Sequence, residues 1–195
     1  LETGVYDRNR SFYTTISPSM DILISSNLER MLYELTGKDD KKIALWQNQL
    51  KEQGKYTVDS EVLAKLKGLF WGGCCDEEKT GKTIKETFEK FGYLIDTHTA
   101  VAVSVYEDYK KETGDTRPVV IASTASPYKF AHSVLDSLGV QVPADEFEAV
   151  DKLSATTKAL VPAPLSALKT AKVRFSNVCE KQDMSKVVLE HLGIK

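Results

Sequence analysis

Apolar positions in the first third of the chain recur at spacings of three and four residues, which is the period of an α-helix. Between Pro18 and Gly37 they are Met20, Leu23, Ile24, Leu28, Met31, Leu32 and Leu35. Ser17 stands where an N-cap is expected, Pro18 suits the first helical position, and Asp21 falls in the first turn. The pattern therefore predicts one long amphipathic helix that begins at Pro18 and ends before Gly37.

Apolar periodicity between a capping residue and a glycine predicts further helices along the chain. We place them over Asp39–Gln53, Ser60–Leu69, Asp76–Lys90, Asp96 to about Lys111, about Tyr128 to Leu138, and Met184–Leu192. The chain is therefore expected to be rich in helix.

One segment has a different pattern. Residues 118–122 form a continuous apolar, mainly β-branched run bounded by turn residues, which is typical of a strand buried on both faces of a parallel sheet. A hydroxyl-rich turn and a helix follow it, so the segment reads as half of a βαβ unit. The sequence predicts an α/β fold in which residues 1–92 are mainly helical and residues 93–195 combine strand and helix.

Composition excludes several classes of protein. The 195 residues carry 26 Lys and Arg against 28 Asp and Glu, and a net charge of −2 gives no support to nucleic-acid binding. The apolar stretches fall far short of the ~20 residues that cross a bilayer, so we expect no membrane partner. An odd number of cysteines, two of them adjacent, makes no disulfide framework, and we expect a cytoplasmic location. Because the chain begins with Leu1 rather than Met, we expect a fragment of a longer protein.

Two junctions carry most of the candidate ligand groups. Residues 96–99, which include His98, precede one helix, and residues 123–126 link the predicted strand to another. Ligands of α/β sheets bind beyond the carboxyl ends of the strands, and a helix N-terminus offers N–H groups to anions. The alternative is that these side chains only cap their helices. The hydroxyl density of both junctions favours one shared site between them.

Two weaker signals are interpreted as structural. Residues 80–83, Thr-Gly-Lys-Thr, end like a phosphate-binding P-loop, but Asp76 occupies the position where that loop needs a glycine. Cys74 and Cys75 are adjacent and the three histidines are scattered, which does not match the ligand spacing of a zinc site. We therefore expect neither a nucleotide site nor a metal site, and we leave the role of the two cysteines open.

Four ordered motifs carry a resemblance to a known family. They are residues 3–6 (Thr-Gly-Val-Tyr), 17–22 (Ser-Pro-Ser-Met-Asp-Ile) with 26–30, 96–101 (Asp-Thr-His-Thr-Ala-Val) and 123–130 (Ser-Thr-Ala-Ser-Pro-Tyr-Lys-Phe). In this order they resemble threonine synthase of the longer-chain type. That family consists of pyridoxal-phosphate enzymes of fold type II, which convert O-phosphohomoserine and water to threonine and phosphate.

The resemblance runs from Thr3 to about Phe130 and implies that this chain is a C-terminal portion. It implies a helix-rich, three-layer arrangement on a short, mostly parallel sheet. The lysine that forms the Schiff base with pyridoxal 5'-phosphate then lies in an absent upstream part, so no lysine here is assigned that role. We expect the chain alone to be inactive and to need that upstream part as its partner.

The resemblance also implies site residues. Thr124 matches the hydroxyl that faces the pyridine nitrogen of the cofactor, and His98 and Thr99 lie on the neighbouring turn as further pocket residues. Three residues match a loop on the substrate side: Ser17, Ser19 and Asp21. Alternatively, these three only satisfy the start of their helix. Ser126 stands where many relatives carry His, which puts a proton-transfer role at that position in doubt.

Two other functions remain open from the sequence. One is a different fold type II lyase, such as a threonine or serine dehydratase, although residues 17–21 and 96–100 argue against it. The other is a non-catalytic helical module that docks a partner through the apolar face between Met20 and Leu35.

Overall fold

A computed structural model describes residues 1–194. The chain divides into two compact units, Leu1–Leu160 and a second that begins at Val161. Within the described residues, no helix has the length and apolar character needed to cross a membrane.

Helices dominate both units. In the first unit they are α1 (Ser26–Leu35), α2 (Asp40–Gln53), α3 (Ser60–Leu69), α4 (Glu77–Phe91), α5 (Thr97–Thr113), α6 (Ala131–Ser137) and α7 (Glu146–Thr157). The second unit contains α8 (Ala163–Ala167) and α9 (Met184–His191). Short 3-10 turns lie at Pro18–Met20, Pro127–Phe130, Leu168–Thr170 and Lys181–Asp183. Two strands, β1 (Val5–Asp7) and β2 (Lys55–Thr57), complete the described elements.

The two strands pair antiparallel beside the first three helices. Tyr6 on β1 lies opposite Tyr56 on β2, and the rings of Tyr6, Tyr56 and Trp46 stack with centroid distances of 5.4 and 5.9 Å. The core beneath them is formed by Leu32, Ile43, Trp46, Leu50, Tyr56, Val58, Val62 and Leu66. The strand pair was not predicted, because three residues are too few to set up an alternating pattern.

The remaining helices of the first unit pack in series. Helix α4 contacts α5 and α6, and α6 contacts α7. An ion pair between Lys79 on α4 and Asp108 on α5, at 2.5 Å, joins the first two at their surface. The side chains that fill the space between these helices are fully buried: Ile84, Ala100, Val134, Leu135, Ala149 and Leu153. This packing supports the N-terminus of α5, where the motif at residues 96–101 meets those at residues 17–22 and 123–130.

Capping residues explain why most helix boundaries were predicted well. The side chains of Asp39, Asp76 and Asp96 each accept a hydrogen bond from a backbone N–H in the first turn of α2, α4 and α5. Gly54 and Gly92 end α2 and α4 in the left-handed conformation. The predictions for α2, α3, α4 and α5 are confirmed, as is α9. The predicted helix from about Tyr128 divides into the Pro127–Phe130 turn and α6.

The long helix predicted from Pro18 is wrong. Only Pro18–Met20 forms a 3-10 turn there, and the Ser17 side chain makes no capping hydrogen bond. Helix α1 begins eight residues later than predicted, at Ser26, and its N-cap is Ser25. The periodic apolar residues between Pro18 and Gly37 therefore do not form one helical face.

Tyr6 supplies a physical reason for this break. Its hydroxyl accepts a hydrogen bond from the Ser25 backbone N–H at 2.7 Å and donates one to the Leu23 carbonyl at 3.1 Å. Both backbone groups would be used differently in a continuous helix. Tyr6 lies 17 positions before Leu23 and 19 positions before Ser25. These contacts between residues distant in sequence therefore override the local periodicity.

The parallel strand predicted for residues 118–122 is also not observed. The described residues contain one sheet, which has two antiparallel strands, and residues 118–122 do not belong to it. This segment is largely exposed, and Val120 exposes 95% of its surface. The apolar pattern is present, but among the described residues no neighbouring strand pairs with this segment. The observed fold is helix-rich α/β without the expected parallel sheet.

Gly54 provides a test of the turn between α2 and β2. It has φ of 77°, and a Cβ there would lie 2.3 Å from the Asn9 side chain, whereas Gly37, with φ of 73°, has nothing within 4 Å. We expect Gly37→Ala to lower the free energy of unfolding by about 1–2 kcal/mol, the cost of a left-handed residue. Gly54→Ala should cost more, because it also displaces Asn9, which bonds the Gln53 carbonyl.

Urea unfolding of the two variants, followed by tryptophan fluorescence, measures this difference. Equal losses in Gly54→Ala and Gly37→Ala would contradict the role of Asn9.

Candidate functional site

A closed loop at residues 15–21 carries the candidate substrate-side residues. Asp21 closes it, because its carboxylate accepts hydrogen bonds from the Thr15 backbone N–H at 2.7 Å and from the Thr15 hydroxyl at 2.8 Å. The Ser17 N–H donates to the same hydroxyl at 3.1 Å. The Ile16 N–H donates to Glu77 at the start of α4, at 3.0 Å. The 15–21 loop is thus held in one shape and anchored to α4.

Asp96 is a fully buried carboxylate at the N-terminus of α5. It accepts hydrogen bonds from the backbone N–H groups of His98 and Thr99, at 2.9 and 3.3 Å, and from the Thr99 hydroxyl. The Nδ1 atom of His98 lies 3.1 Å from the same carboxylate. A buried charge is costly unless it is hydrogen-bonded, and the positive end of the α5 dipole stabilises it further. Asp96 caps the helix, as one interpretation of the sequence allowed, and also holds two candidate site residues.

His98 joins the 15–21 loop to α5. The Ser19 backbone N–H donates to its Nε2 atom at 3.2 Å. Because a backbone N–H can only donate, Nε2 must be unprotonated, and the ring proton sits on Nδ1, facing Asp96. The Phe130 ring packs on the imidazole with a centroid distance of 4.8 Å. His98 is therefore buried, neutral in this arrangement and bonded at both nitrogens.

Thr99 connects α5 to the turn at residues 123–126. Its hydroxyl lies within hydrogen-bonding distance, 3.2 Å, of the Ser123 hydroxyl. Thr124 follows directly and is exposed. Ser126 is used locally, since its hydroxyl accepts from the Tyr128 N–H at 3.3 Å and so caps the Pro127–Phe130 turn. The turn that carries Thr124 is thus held beside α5 by Thr99.

The structure brings three of the candidate residues into direct contact with one another or with Asp96: Ser19, His98 and Thr99. The loop places Ser17 and Asp21 nearby, and Thr124 lies one residue from the Thr99 contact. Ser17 is buried, and its hydroxyl has no hydrogen-bond partner among the described residues. The carboxylate of Asp21 accepts both of its hydrogen bonds from Thr15, and these bonds close the loop.

Sequence reasoning missed Asp96 as the organiser of the site, and it missed Phe130 as the ring that packs on His98. A signal for Asp96 was present, since a carboxylate two residues before a histidine can reach both its backbone and its ring. No spacing rule could have paired Ser19 with His98, which lie 79 positions apart.

The groups interpreted as structural have local partners. In the P-loop-like segment, the Thr80 hydroxyl donates to the carbonyl of Asp76, the N-cap of α4, and the Thr83 hydroxyl donates to the Lys79 carbonyl within the helix. The Cys75 thiol lies 3.3 Å from the Thr80 hydroxyl, and all three cysteines are free. Across residues 1–194, no group of three or more His, Cys, Asp or Glu side chains could hold a metal ion.

A polar clip fixes the segment that leads into the Thr124 turn. The Asp115 carboxylate accepts hydrogen bonds from the Arg117 side chain and backbone, at 2.5 to 3.0 Å, and from the Tyr109 hydroxyl at 2.6 Å. These bonds, those of Arg117 first, hold the pKa of Asp115 well below its ordinary value of 3.8. The clip ties the chain ahead of residues 118–122 to the end of α5.

Comparison with known proteins shows that this chain is similar to threonine synthases. The family described as "Threonine synthase, C-terminal" matches residues 99–188. Threonine synthase from yeast is similar in structure, with a TM-score of 0.79 and 30% identity over 98% of this chain and 39% of that one. The resemblance to threonine synthase is confirmed. A structure titled as PLP-bound threonine synthase from Brucella melitensis has a TM-score of 0.65 and 31% identity, over 81% of this chain and 37% of that one.

Similar sequences point to the same family. Human "Threonine synthase-like 1" is 37% identical over 142 residues, which cover 72% of this chain and 19% of that protein. Threonine synthase from Pseudomonas aeruginosa is 34% identical over 140 residues, which cover 71% of this chain and 29% of that protein. The matched part of the chain thus spans less than a third of each of these two proteins.

The Asp115 clip gives a pH-dependent prediction. Because the pKa of Asp115 is depressed in the folded protein, its ionised form stabilises the fold above pH 3.8, and this contribution is lost as the pH falls through the folded pKa. We expect Asp115→Asn to lower the Tm at pH 7. The difference in Tm from the original chain should narrow below pH 3.8. Thermal unfolding of both proteins between pH 7 and pH 2 measures it, and a difference that stays constant with pH would contradict the assignment.

Proposed function

We propose that this chain is the C-terminal portion of a threonine synthase, which converts O-phosphohomoserine and water to threonine and phosphate with pyridoxal 5'-phosphate. One observation carries this proposal: three of the four motifs that resemble the family in sequence meet at one hydrogen-bonded cluster, in a chain that matches yeast threonine synthase over 98% of its length. The chain spans 39% of that protein, so the activity belongs to a longer polypeptide. Alone, the chain is inactive.

The polar groups of the cluster fit a neutral contact to the cofactor. The two carboxylates, Asp96 and Asp21, already accept hydrogen bonds from protein donors, whereas Thr124 is exposed. A hydroxyl is thus the group free to meet the pyridine nitrogen, and it leaves that nitrogen largely uncharged. When bound, pyridoxal phosphate supplies an electron sink for the reaction.

The chain's own residues then have distinct tasks. Thr124 orients the pyridine ring, while His98 and Thr99 form the wall behind it. On the substrate side, the buried and unpartnered Ser17 hydroxyl and the exposed Ser19 are available to the amino-acid substrate. Asp21 acts by closing the loop that carries them. None of these residues is assigned a covalent or proton-transfer step.

We propose further that residues 118–122 form a strand of a mostly parallel sheet whose other strands lie outside this chain. An apolar, β-branched segment gains little from exposure to water, and each Å² of apolar surface that is buried contributes about 25 cal/mol. Beside this segment lies a groove of about 630 Å³, lined mainly by apolar side chains such as Val105, Tyr106 and Val119. The division at residue 92 into a helical and an α/β part belongs to the same proposal.

The alternative of a helical docking module loses its basis. It required one continuous apolar face from Met20 to Leu35, and that stretch is broken before Ser26. A cytoplasmic location is supported by the three free cysteines, two of which are exposed.

The first experiment compares the absorbance spectra of the full-length gene product and of this chain, each purified with pyridoxal phosphate. We expect the visible band of lysine-bound cofactor in the full-length protein and not in this chain. The full-length protein should also release phosphate from O-phosphohomoserine. A full-length protein with neither property would refute the proposed function.

Thr124→Val in the full-length protein tests the contact to the pyridine nitrogen. We expect the cofactor to remain bound and turnover to fall by roughly tenfold to a thousandfold, on the scale of losing one positioned polar contact at a reacting centre. Thr156→Val makes the same change at an exposed position on α7 and should leave turnover unchanged. Equal kinetics in the two variants would remove Thr124 from the site.

A further inference from the structure

One hydrogen bond joins the 15–21 loop to the N-terminus of α5: that from the Ser19 N–H to His98 Nε2, at 3.2 Å. The other hydrogen bonds of the loop close it on itself, through Asp21, or fix its start to Glu77. The position of Ser19 relative to α5 therefore depends on the acceptor that His98 presents.

That acceptor exists in only one protonation state of the imidazole. A neutral histidine has one donor and one acceptor nitrogen, and a carboxylate can only accept, so Asp96 favours the proton on Nδ1. This leaves Nε2 free to accept from Ser19. In the opposite tautomer, a protonated Nε2 would face the Ser19 N–H, which is also a donor. The unprotonated Nδ1 would face the Asp96 carboxylate, which is also an acceptor. Since the His98 side chain is only 6% exposed, water has little access to repair such a mismatch.

The orientation of the ring is fixed as well. Asp96 accepts from both the His98 backbone N–H and its ring, so the side chain is tied back to its own main chain. Phe130 packs on the imidazole at 4.8 Å. The Nε2 lone pair is thus held in one direction, toward the loop.

We propose that His98 is a positioning residue, which holds the 15–21 loop against α5 through its unprotonated Nε2, and that Asp96 maintains the tautomer that makes this possible. The loop carries Ser17 and Ser19, so His98 sets where the substrate-side wall stands. This consequence for substrate rests on the proposed function. The role of His98 in holding the 15–21 loop against α5 does not rest on the proposed function.

Two amide variants separate the two nitrogens of His98. In His98→Gln the side-chain oxygen reaches the position of Nε2 and still accepts from Ser19, while the bond to Asp96 is lost. In His98→Asn the side-chain amide reaches the position of Nδ1 and still donates to Asp96, but nothing accepts from Ser19. His98→Leu is the volume control, because its side chain has about the size of Gln but neither a donor nor an acceptor. A residue that merely filled space would respond alike to Leu and Gln, whereas loss of the acceptor should raise exchange in Leu and Asn but not in Gln.

Hydrogen exchange of the peptide that contains Ser19, measured by mass spectrometry on the full-length protein, is the decisive readout. We expect exchange in His98→Asn to accelerate by about tenfold, the scale of losing one hydrogen bond to a buried acceptor. His98→Gln should restore most of the protection. His132→Asn, the same change at a half-buried histidine on α6, should leave this peptide unaffected.

Exchange that is unchanged in His98→Asn, or as fast in His98→Gln as in His98→Leu, would overturn the positioning role. Steady-state kinetics then test the link to substrate. We expect the KM for O-phosphohomoserine to rise about tenfold in His98→Asn with a smaller change in kcat, and to recover in His98→Gln. Faster exchange with an unchanged KM would overturn that link. If the original protein did not act on O-phosphohomoserine, the proposed function would fail, and the exchange result would still decide the role of His98.

Discussion

The candidate site depends on one buried carboxylate. Asp96 sits at the N-terminus of α5 with no exposed surface, and its donors come from the backbone and side chains of His98 and Thr99. Removing a donor from a buried charged group costs more than about 1–3 kcal/mol, because the group is left unsatisfied. His98 and Thr99 are therefore held in place by the need to satisfy Asp96. Through them the constraint reaches the 15–21 loop and Ser123, neither of which belongs to an α-helix or a strand.

The helices around this carboxylate explain how such a site keeps its shape. Helix α5 is packed against α4, and α4 also contacts α6, so the N-terminus of α5 lies on a closed helical core. The opposite side of α5 faces the groove beside residues 118–122, which this chain leaves open. One side of α5 is thus covered by helices of its own chain, whereas the other faces an open groove.

The sequence predicted those helix boundaries that depend on residues close together in the chain. Helices α2, α4 and α5 begin at aspartates whose side chains cap them, and α2 and α4 end at glycines, so their signals lie within a few residues of each boundary. The helix from Pro18 was wrong because the Tyr6 hydroxyl takes backbone groups from Leu23 and Ser25. The strand predicted at residues 118–122 would require neighbouring strands to pair with, and the described residues contain none beside it. The types of site residue were predicted, but the bond from Ser19 to His98 arises only from folding.

The ionisable groups of the cluster show what this chain contributes to chemistry. Asp21 is engaged by Thr15, Asp96 by the start of α5, and His98 is bonded at both nitrogens. A general acid or base must exchange a proton with the reacting molecule, and each of these three groups would first have to break a hydrogen bond that the structure shows. The polar groups left available are hydroxyls, at Ser17, Ser19 and Thr124. In the proposed enzyme this chain therefore orients cofactor and substrate, while the groups that move protons belong to another part of the protein or to the substrate itself.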